Sequence, residues 1–349
     1  MIEKLKPLFK DCGALFISAP SDVFYFSRFD GEGYIAAFPD GAFYVTDGRY
    51  SEEAAIYSPL KVITASADKP FAAALKLIAG HNPSMPVGVQ TGRLTHAEYI
   101  LASELSNAQF SVIDGFTADL RAVKDAFEID LIARAAEITD AAFPKILARI
   151  HEGMTERELA AETEYQMRLA GADGAAFPTI AAFGANGSKP HARPGDVALK
   201  RGMAVTLDFG AKAGGYCSDM TRTFAFGTPS PELKKIYSIT LDANLAGLAA
   251  VRDGVKCAAA DAAARDVVAR EGYGDYFLHG TGHGVGIDIH ETPALSFRSF
   301  ETLKTGMVVT VEPGIYLSGI GGVRIEDMVA VTQDGCDIMS HTPKELLVI

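Results

Sequence analysis

The chain reads as an α+β protein of two domains, an α/β unit over residues 1–120 followed by a larger domain, 121–349, built from two similar αβ halves. Three observations predict this. The length of 349 residues suggests two domains at about 150 residues each. The first third alternates short β-rich runs with helical spacing, and a twelve-residue segment of the last two thirds occurs twice.

Composition excludes several classes. With 48 % hydrophobic and 22 % charged residues the chain is that of a packed globular protein. Its net charge of −12 argues against nucleic acid or an anionic membrane as partner. No apolar run approaches the roughly 20 residues of a membrane span, and the charges scattered through MIEKLKPLFKDCG leave no apolar stretch for a signal peptide, so a cytoplasmic location is expected. Cys12, Cys217, Cys257 and Cys336 lie far apart without a C-x-x-C, which indicates neither a disulfide framework nor a cysteine zinc site.

In the first domain, residues 14–18, 34–38 and 42–46 read as strands punctuated by Pro20, Gly31, Gly33 and Gly41, and residues 71–79 and 96–105 have helical spacing. Residues 120–149 place Ile129, Ile132, Ala136, Phe143 and Ile146 on the stripe of one long amphipathic helix, and the domain boundary is set before it. Thr155-Glu-Arg-Glu158 is a capping box opening a second helix. Beyond it the sequence is glycine-rich and strand-like, interrupted by helical stretches at 231–250 and 258–271.

The internal echo pairs Leu199-Lys-Arg-Gly-Met-Ala-Val-Thr-Leu-Asp-Phe-Gly210 with Leu303-Lys-Thr-Gly-Met-Val-Val-Thr-Val-Glu-Pro-Gly314, identical at seven of twelve positions, with Asp208 matching Glu312. Weaker echoes relate Glu152-Gly153 to Asp253-Gly254 and His191-Ala-Arg-Pro194 to His290-Glu-Thr-Pro293. Two such halves about a pseudo-twofold axis bring equivalent positions to a shared central site.

Each echoed strand opens a hairpin. A turn at Ala213-Gly214 sets Asp208 opposite Asp219, and a turn centred near Gly319 sets Glu312 opposite Glu326. Directly opposed carboxylates about 5 Å apart repel unless a cation lies between them. The segment His279-Gly-Thr-Gly-His283-Gly-Val-Gly-Ile-Asp-Ile-His290 is too rich in glycine for a helix, and His-Glu-x-x-His is absent. One imidazole from it plus four carboxylates is an oxygen-rich set suited to two divalent ions, Mn²⁺ foremost, with Co²⁺ or Zn²⁺ as substitutes.

These motifs resemble the pita-bread metallopeptidases, which include methionine aminopeptidases, Xaa-Pro aminopeptidases and Xaa-Pro dipeptidases. The resemblance is carried by Leu207-Asp-Phe-Gly210, Ser218-Asp-Met-Thr-Arg-Thr-Phe224, His279-x-Thr-Gly-His-Gly-x-Gly286, His290-Glu-x-Pro293, Glu312-Pro-Gly-Ile-Tyr316 and Gly322-Val-Arg-Ile-Glu-Asp327. Pro20-x-Asp-x-x-Tyr25 and Asp47-Gly-Arg-Tyr50 are similar to the creatinase/prolidase-like N-terminal domain of the Xaa-Pro branch. The resemblance implies a pita-bread catalytic domain with metal ligands at Asp208, Asp219, His283, Glu312 and Glu326, of which Asp219 and Glu326 bridge two ions. It implies Glu312 as base, His191 as proton shuttle or leaving-group contact, and His279 and His290 on the substrate carbonyl and its oxyanion, though His279 could instead brace the glycine loop. Arg324 then orients a ligand carboxylate, expected to be Asp219.

The implied reaction is hydrolysis of a short proline-containing peptide beside its free N-terminus, as a dipeptidase or, on longer peptides, an aminopeptidase. A homodimer follows from the same resemblance. A catalytically inactive peptide-binding member or a metal-free creatinase-like one would have lost ligands, and all five positions are intact.

Overall fold

In the computed structural model, which describes residues 2–66, 69–81, 84–106 and 108–349, the chain divides into two units, Met1–Arg121 and Ala122–Ile349. Strands β1 (Ala14–Ile17), β2 (Tyr34–Phe38), β3 (Gly41–Asp47), β4 (Lys61–Ala65), β5 (Val87–Val89) and β6 (Phe110–Val112) form one sheet in the order β4-β3-β2-β1-β5-β6. The β1–β2–β3 meander is antiparallel, and β4, β5 and β6 join it in parallel. Phe16, Phe38 and Val45 of the sheet pack with Phe71, Leu75 and Ile78 of the Pro70–Gly80 helix, an apolar face that supplies this unit's core. The buried Asp22 takes hydrogen bonds from Gln90 and from Arg121, at 3.0 Å, which explains the acid of the Pro20-x-Asp motif as a satisfied buried charge.

The second unit contains the duplication. Each half is a helix pair, Ala126–Leu147 with Glu156–Leu169 and Pro231–Ala250 with Cys257–Arg270, followed by strands. The first half has β7 (Gly174–Ala175), β8 (Ile180–Phe183), β9 (Met203–Phe209), β10 (Ala211–Ala213), β11 (Tyr216–Cys217) and β12 (Met220–Phe226). The second has β13 (Gly282–Gly284), β14 (Glu291–Leu295), β15 (Val308–Val311), β16 (Gly314–Leu317), β17 (Gly321–Arg324), β18 (Asp327–Val331) and β19 (Cys336–Ile338).

The echo reaches the backbone hydrogen bonds. Gly153 N donates to Leu199 O and Leu199 N to Met154 O, as Gly254 N does to Leu303 O and Leu303 N to Val255 O. Met203 N to Lys200 O repeats as Met307 N to Lys304 O.

One helix boundary differs from the sequence expectation. Residues 120–149 are not a single helix; one ends at Ala122 and the next begins at Ala126. Asp125 caps the second, accepting from Glu128 N while the Glu128 side chain returns to Asp125 N, a start signal stronger than the apolar stripe running through it. The capping box at Thr155 forms as expected. Among the described residues no helix is long and apolar enough to cross a membrane.

Candidate metal centre

The acids reach their places through two hairpins. In the first, Asp208 pairs with Thr221, not with Asp219 as the expected turn required. The turn falls on Gly214-Gly215, whose φ values of 56° and 84° suit a tight hairpin that an alanine at 213 would strain. The slip is two residues, the period of a strand, so Asp208 and Asp219 stay on one face as diagonal neighbours. In the second hairpin, Val311 pairs with Asp327 and Gly314 with Arg324, which brackets Glu312 and Glu326 as the opposed pair expected.

His283 lies at the centre of β13, between β14 and β15. A Cβ on Gly282 would come 1.9 Å from Thr310 O, so glycine lets this strand approach β15 closely enough to seat His283 beside the acids. Its Nε2 lies 3.3 Å from Glu312 Oε1 and 3.5 Å from Asp219 Oδ2. Nδ1 faces Gly284 O at 3.1 Å and must carry the proton there, because a carbonyl only accepts, leaving the Nε2 lone pair toward the carboxylates. Donor atoms of Asp219, His283 and Glu326 all lie within 4.8 Å of one another.

Two of the four acids are held by one oxygen and free at the other. Asp208 Oδ2 accepts from Arg324 Nη2 at 2.5 Å and Glu326 Oε2 from Thr221 Oγ1 at 2.6 Å. Asp208 Oδ1 and Glu326 Oε1 are buried without a hydrogen-bond partner. Buried unpaired carboxylate oxygens are costly, and a divalent cation removes that cost. The residues therefore fit the metal that their donor chemistry calls for.

Electrostatics agree. Burial, then the charges of Glu326, Asp208 and Glu312, push the Asp219 carboxyl well above its usual range. Burial, then Glu312 and Asp208, does the same to Glu326, and burial raises Glu312. Burial lowers His279, His283 and His290 below the ordinary imidazole value, favouring neutral rings.

Arg324 departs from the expected pairing. Its partner is Asp208 rather than Asp219, because the register places Arg324 at the seam between hairpins, where Nε also reaches Thr221 Oγ1 at 3.0 Å. Its Nη1 donates to Tyr316 Oη at 2.8 Å, and the Tyr316 hydroxyl donates to His279 Nε2, also at 2.8 Å. Burial pushes the Tyr316 hydroxyl up to about 12, so it keeps its proton. With Nδ1 on Gly280 O at 2.7 Å, both His279 nitrogens are occupied. Those two contacts are what the bracing alternative for His279 requires.

All nine expected site residues line one cavity of about 450 Å³. Asp208, Asp219, His279, His283, Glu312, Arg324 and Glu326 line it together with the exposed His191 and His290. The His290 ring lies 4.3 Å from the His283 ring. Phe177, Ile180, Pro190 and Ile289 supply apolar wall.

Sequence reasoning missed Thr221, Thr310 and Tyr316, of which Thr310 Oγ1 donates to Glu312 Oε1 at 3.1 Å. Thr221 and Thr310 stand two residues from Asp219 and Glu312, the spacing that shares a strand face, and that was the available signal.

The chain resembles known proteins along its whole length. The profile of Metallopeptidase family M24 matches residues 130–333, and that of the Creatinase/Prolidase N-terminal domain matches residues 2–123. An Xaa-Pro dipeptidase of Pyrococcus furiosus is 38 % identical over 356 residues, 99 % of this chain and 100 % of that protein. Among solved structures, an Xaa-Pro dipeptidase from Bacillus anthracis superposes with a TM-score of 0.96 at 39 % identity, covering 100 % of this chain and 99 % of that one. An X-Pro aminopeptidase from Thermotoga maritima gives 0.93 at 34 %, covering 99 % of each. A creatinase-type domain followed by a pita-bread domain is thus the architecture, as expected from sequence, and divalent metal goes with it. The chain belongs to metallopeptidase family M24.

Proposed function

We propose that this chain is an Xaa-Pro dipeptidase dependent on two divalent metal ions, splitting the bond between a free N-terminal residue and proline. The observation that carries the reading is the meeting of Asp208, Asp219, Glu312, Glu326 and His283 on one cavity, with two buried carboxylate oxygens left unpartnered. The names of the relatives from Pyrococcus furiosus and Bacillus anthracis favour a dipeptidase. The Thermotoga maritima neighbour keeps an aminopeptidase acting on longer Xaa-Pro peptides as the second reading.

The five residues would hold the ions, Mn²⁺ by preference because four of the five donors are carboxylates. When bound, the ions supply positive charge that polarises the scissile carbonyl and acidifies a water molecule. Glu312, whose carboxyl is raised by burial, takes the proton of the attacking water. His290, on the cavity wall, donates its N–H to the carbonyl oxygen as charge grows there. His191, exposed on the cavity wall, hands a proton to the departing nitrogen, which in an Xaa-Pro bond carries none. For the same reason proline must be recognised by shape, and Phe177, Ile180 and Ile289 offer an apolar wall for its ring.

A domain boundary near residue 120, a cytoplasmic location and a homodimer belong to the same proposal, the last by family resemblance. The test is turnover of Ala-Pro, Ala-Pro-Ala and Ala-Ala by Mn²⁺-loaded protein. Preference for Ala-Pro supports the dipeptidase, preference for Ala-Pro-Ala the aminopeptidase, and equal cleavage of Ala-Ala would contradict both.

A further inference from the structure

Next to His290 stands an acid with no part in the chemistry of the cavity. The Glu291 side chain is only 6 % exposed, and its carboxylate is held at both oxygens. Oε1 accepts from Asp288 N and Oε2 from Lys124 Nζ, each at 3.1 Å. Lys124 is the one buried lysine among the described residues, its side chain 1 % exposed. In a pair so deeply buried, neither charge is tolerated without the other.

Both partners are anchored to strands of the metal centre. Lys124 N donates to Gly306 O at 2.8 Å, and Val123 bridges to Met307, directly before β15, the strand that leads to Glu312. Glu291 opens β14 and pairs with Gly284 of β13, beside His283. Between Gly284 and Glu291 the chain turns back, with Gly286 N donating to Asp288 O at 3.1 Å and Gly286 O accepting from Cys217 N at 2.8 Å. A Cβ on Gly286 would come 2.5 Å from Glu291 Oε2, so this glycine makes the room that the carboxylate fills. Among the described residues no hydrogen bond reaches the His290 ring, which lies 4.3 Å from the His283 ring. The place of His290 is therefore set by the backbone of this turn.

We propose that Lys124 is a positioning residue for the reaction, fixing the 285–291 turn through Glu291 and with it the place of His290 on the cavity wall. The inference rests on the Xaa-Pro reading, in which His290 meets the carbonyl oxygen. Neither Lys124 nor Glu291 lines the cavity, so the pair acts from behind its wall. Lys124 brings a compact charge to one carboxylate oxygen and leaves the other to the backbone N–H of Asp288. Without the ammonium, the buried carboxylate turns toward water and the bond that closes the turn goes with it. A histidine whose N–H meets charge only as that charge develops registers such drift in kcat rather than in KM.

The test compares Mn²⁺-loaded wild type, Lys124→Met, Lys124→Arg and Gly286→Ala in Ala-Pro turnover and metal content. Calorimetry adds the binding of alanine and of its tetrahedral analogue, 1-aminoethylphosphonate. Lys124→Met should lower kcat about 10- to 100-fold with KM nearly kept. It should retain its two ions and weaken the phosphonate by a similar factor while alanine binds as to wild type. Gly286→Ala, whose methyl displaces the same carboxylate without removing a charge, should repeat that signature, and Lys124→Arg should recover most of the rate. A merely structural role would deplete the metal or shift KM and both ligands together. That outcome, or a wild-type kcat in Lys124→Met, overturns the inference and leaves the peptidase reading standing. Where Lys124→Met fails to fold, Gly286→Ala and Glu291→Gln are read against the same outcomes. Failure of wild type to cleave Ala-Pro overturns both.

Discussion

Two residues before its second acid, the first hairpin carries Cys217 and the second carries Arg324. Both side chains are buried. Cys217 is inert, its thiol pushed up to about 12 by burial and its Sγ 3.3 Å from Ile287 O. Arg324 crosses to the first hairpin and pairs with Asp208, while Thr221 of the first hairpin returns a hydrogen bond to Glu326 of the second. The backbone is duplicated, but the compensating charge is not. One guanidinium serves both halves, and the three remaining acids have their charged forms suppressed by burial and mutual repulsion. The difference teaches that the duplication supplies a symmetric set of carboxylates, while their readiness for cations is set by what each half keeps beside them.

The strongest way to break the comparison is to remove an acid from either hairpin. Asp219→Ala and Glu326→Ala should each abolish peptide hydrolysis and divalent-ion binding together, read by turnover and by metal analysis; an effect in one hairpin only would refute the shared centre. Next in size is Arg324→Met, which leaves the Asp208 carboxylate buried without its cation. It should lower metal affinity about 10- to 100-fold and destabilise the fold by about 3 kcal/mol, measured by metal titration and denaturant unfolding.

Acidity gives a third handle. In metal-free protein the folded chain keeps protons on Asp219 and Glu326 at pH values where the unfolded chain has released them. The folded state then binds more protons, so these groups' contribution to stability falls as pH rises above the ordinary carboxylate range. Divalent ions replace those protons, and the gain in Tm on adding Mn²⁺ should grow from pH 5 to pH 8 in thermal scans. A gain that shrinks with pH would contradict the assignment.

Tyr316→Phe should cost less, about tenfold in kcat/KM, by removing the hydroxyl between Arg324 and His279 while leaving the fold intact. The smallest effect belongs to Cys217→Ala, with activity retained and about 1 kcal/mol of stability lost. A large loss of activity there would mean that the two positions are chemically closer than the comparison holds.

Much of this was legible in the residues. The echo of 199–210 in 303–314 exposed the duplication, and strand parity alone put each pair of acids on one face, even where the first turn was misplaced by one residue and the register thereby by two. The error survived because Ala213-Gly214 and Gly214-Gly215 each offer a glycine to a two-residue turn one position apart. Arg324 with Asp208, and Thr221 with Glu326, cross between hairpins about a hundred residues apart, so no local pattern announces them. The same holds for Glu156, which reads as an ordinary first-turn acid until the 183–195 segment closes on it. In the first domain the three strands of the meander were visible, though not their pairing, whereas β5 and β6, of three residues each, are too short to show a period.

The most direct test is the metal content of the purified chain set against its Ala-Pro hydrolysis through a cycle of chelation and reloading. Two divalent ions per chain, with turnover lost on their removal and restored with their return, is the predicted result. Full hydrolysis by protein stripped of metal would contradict the account.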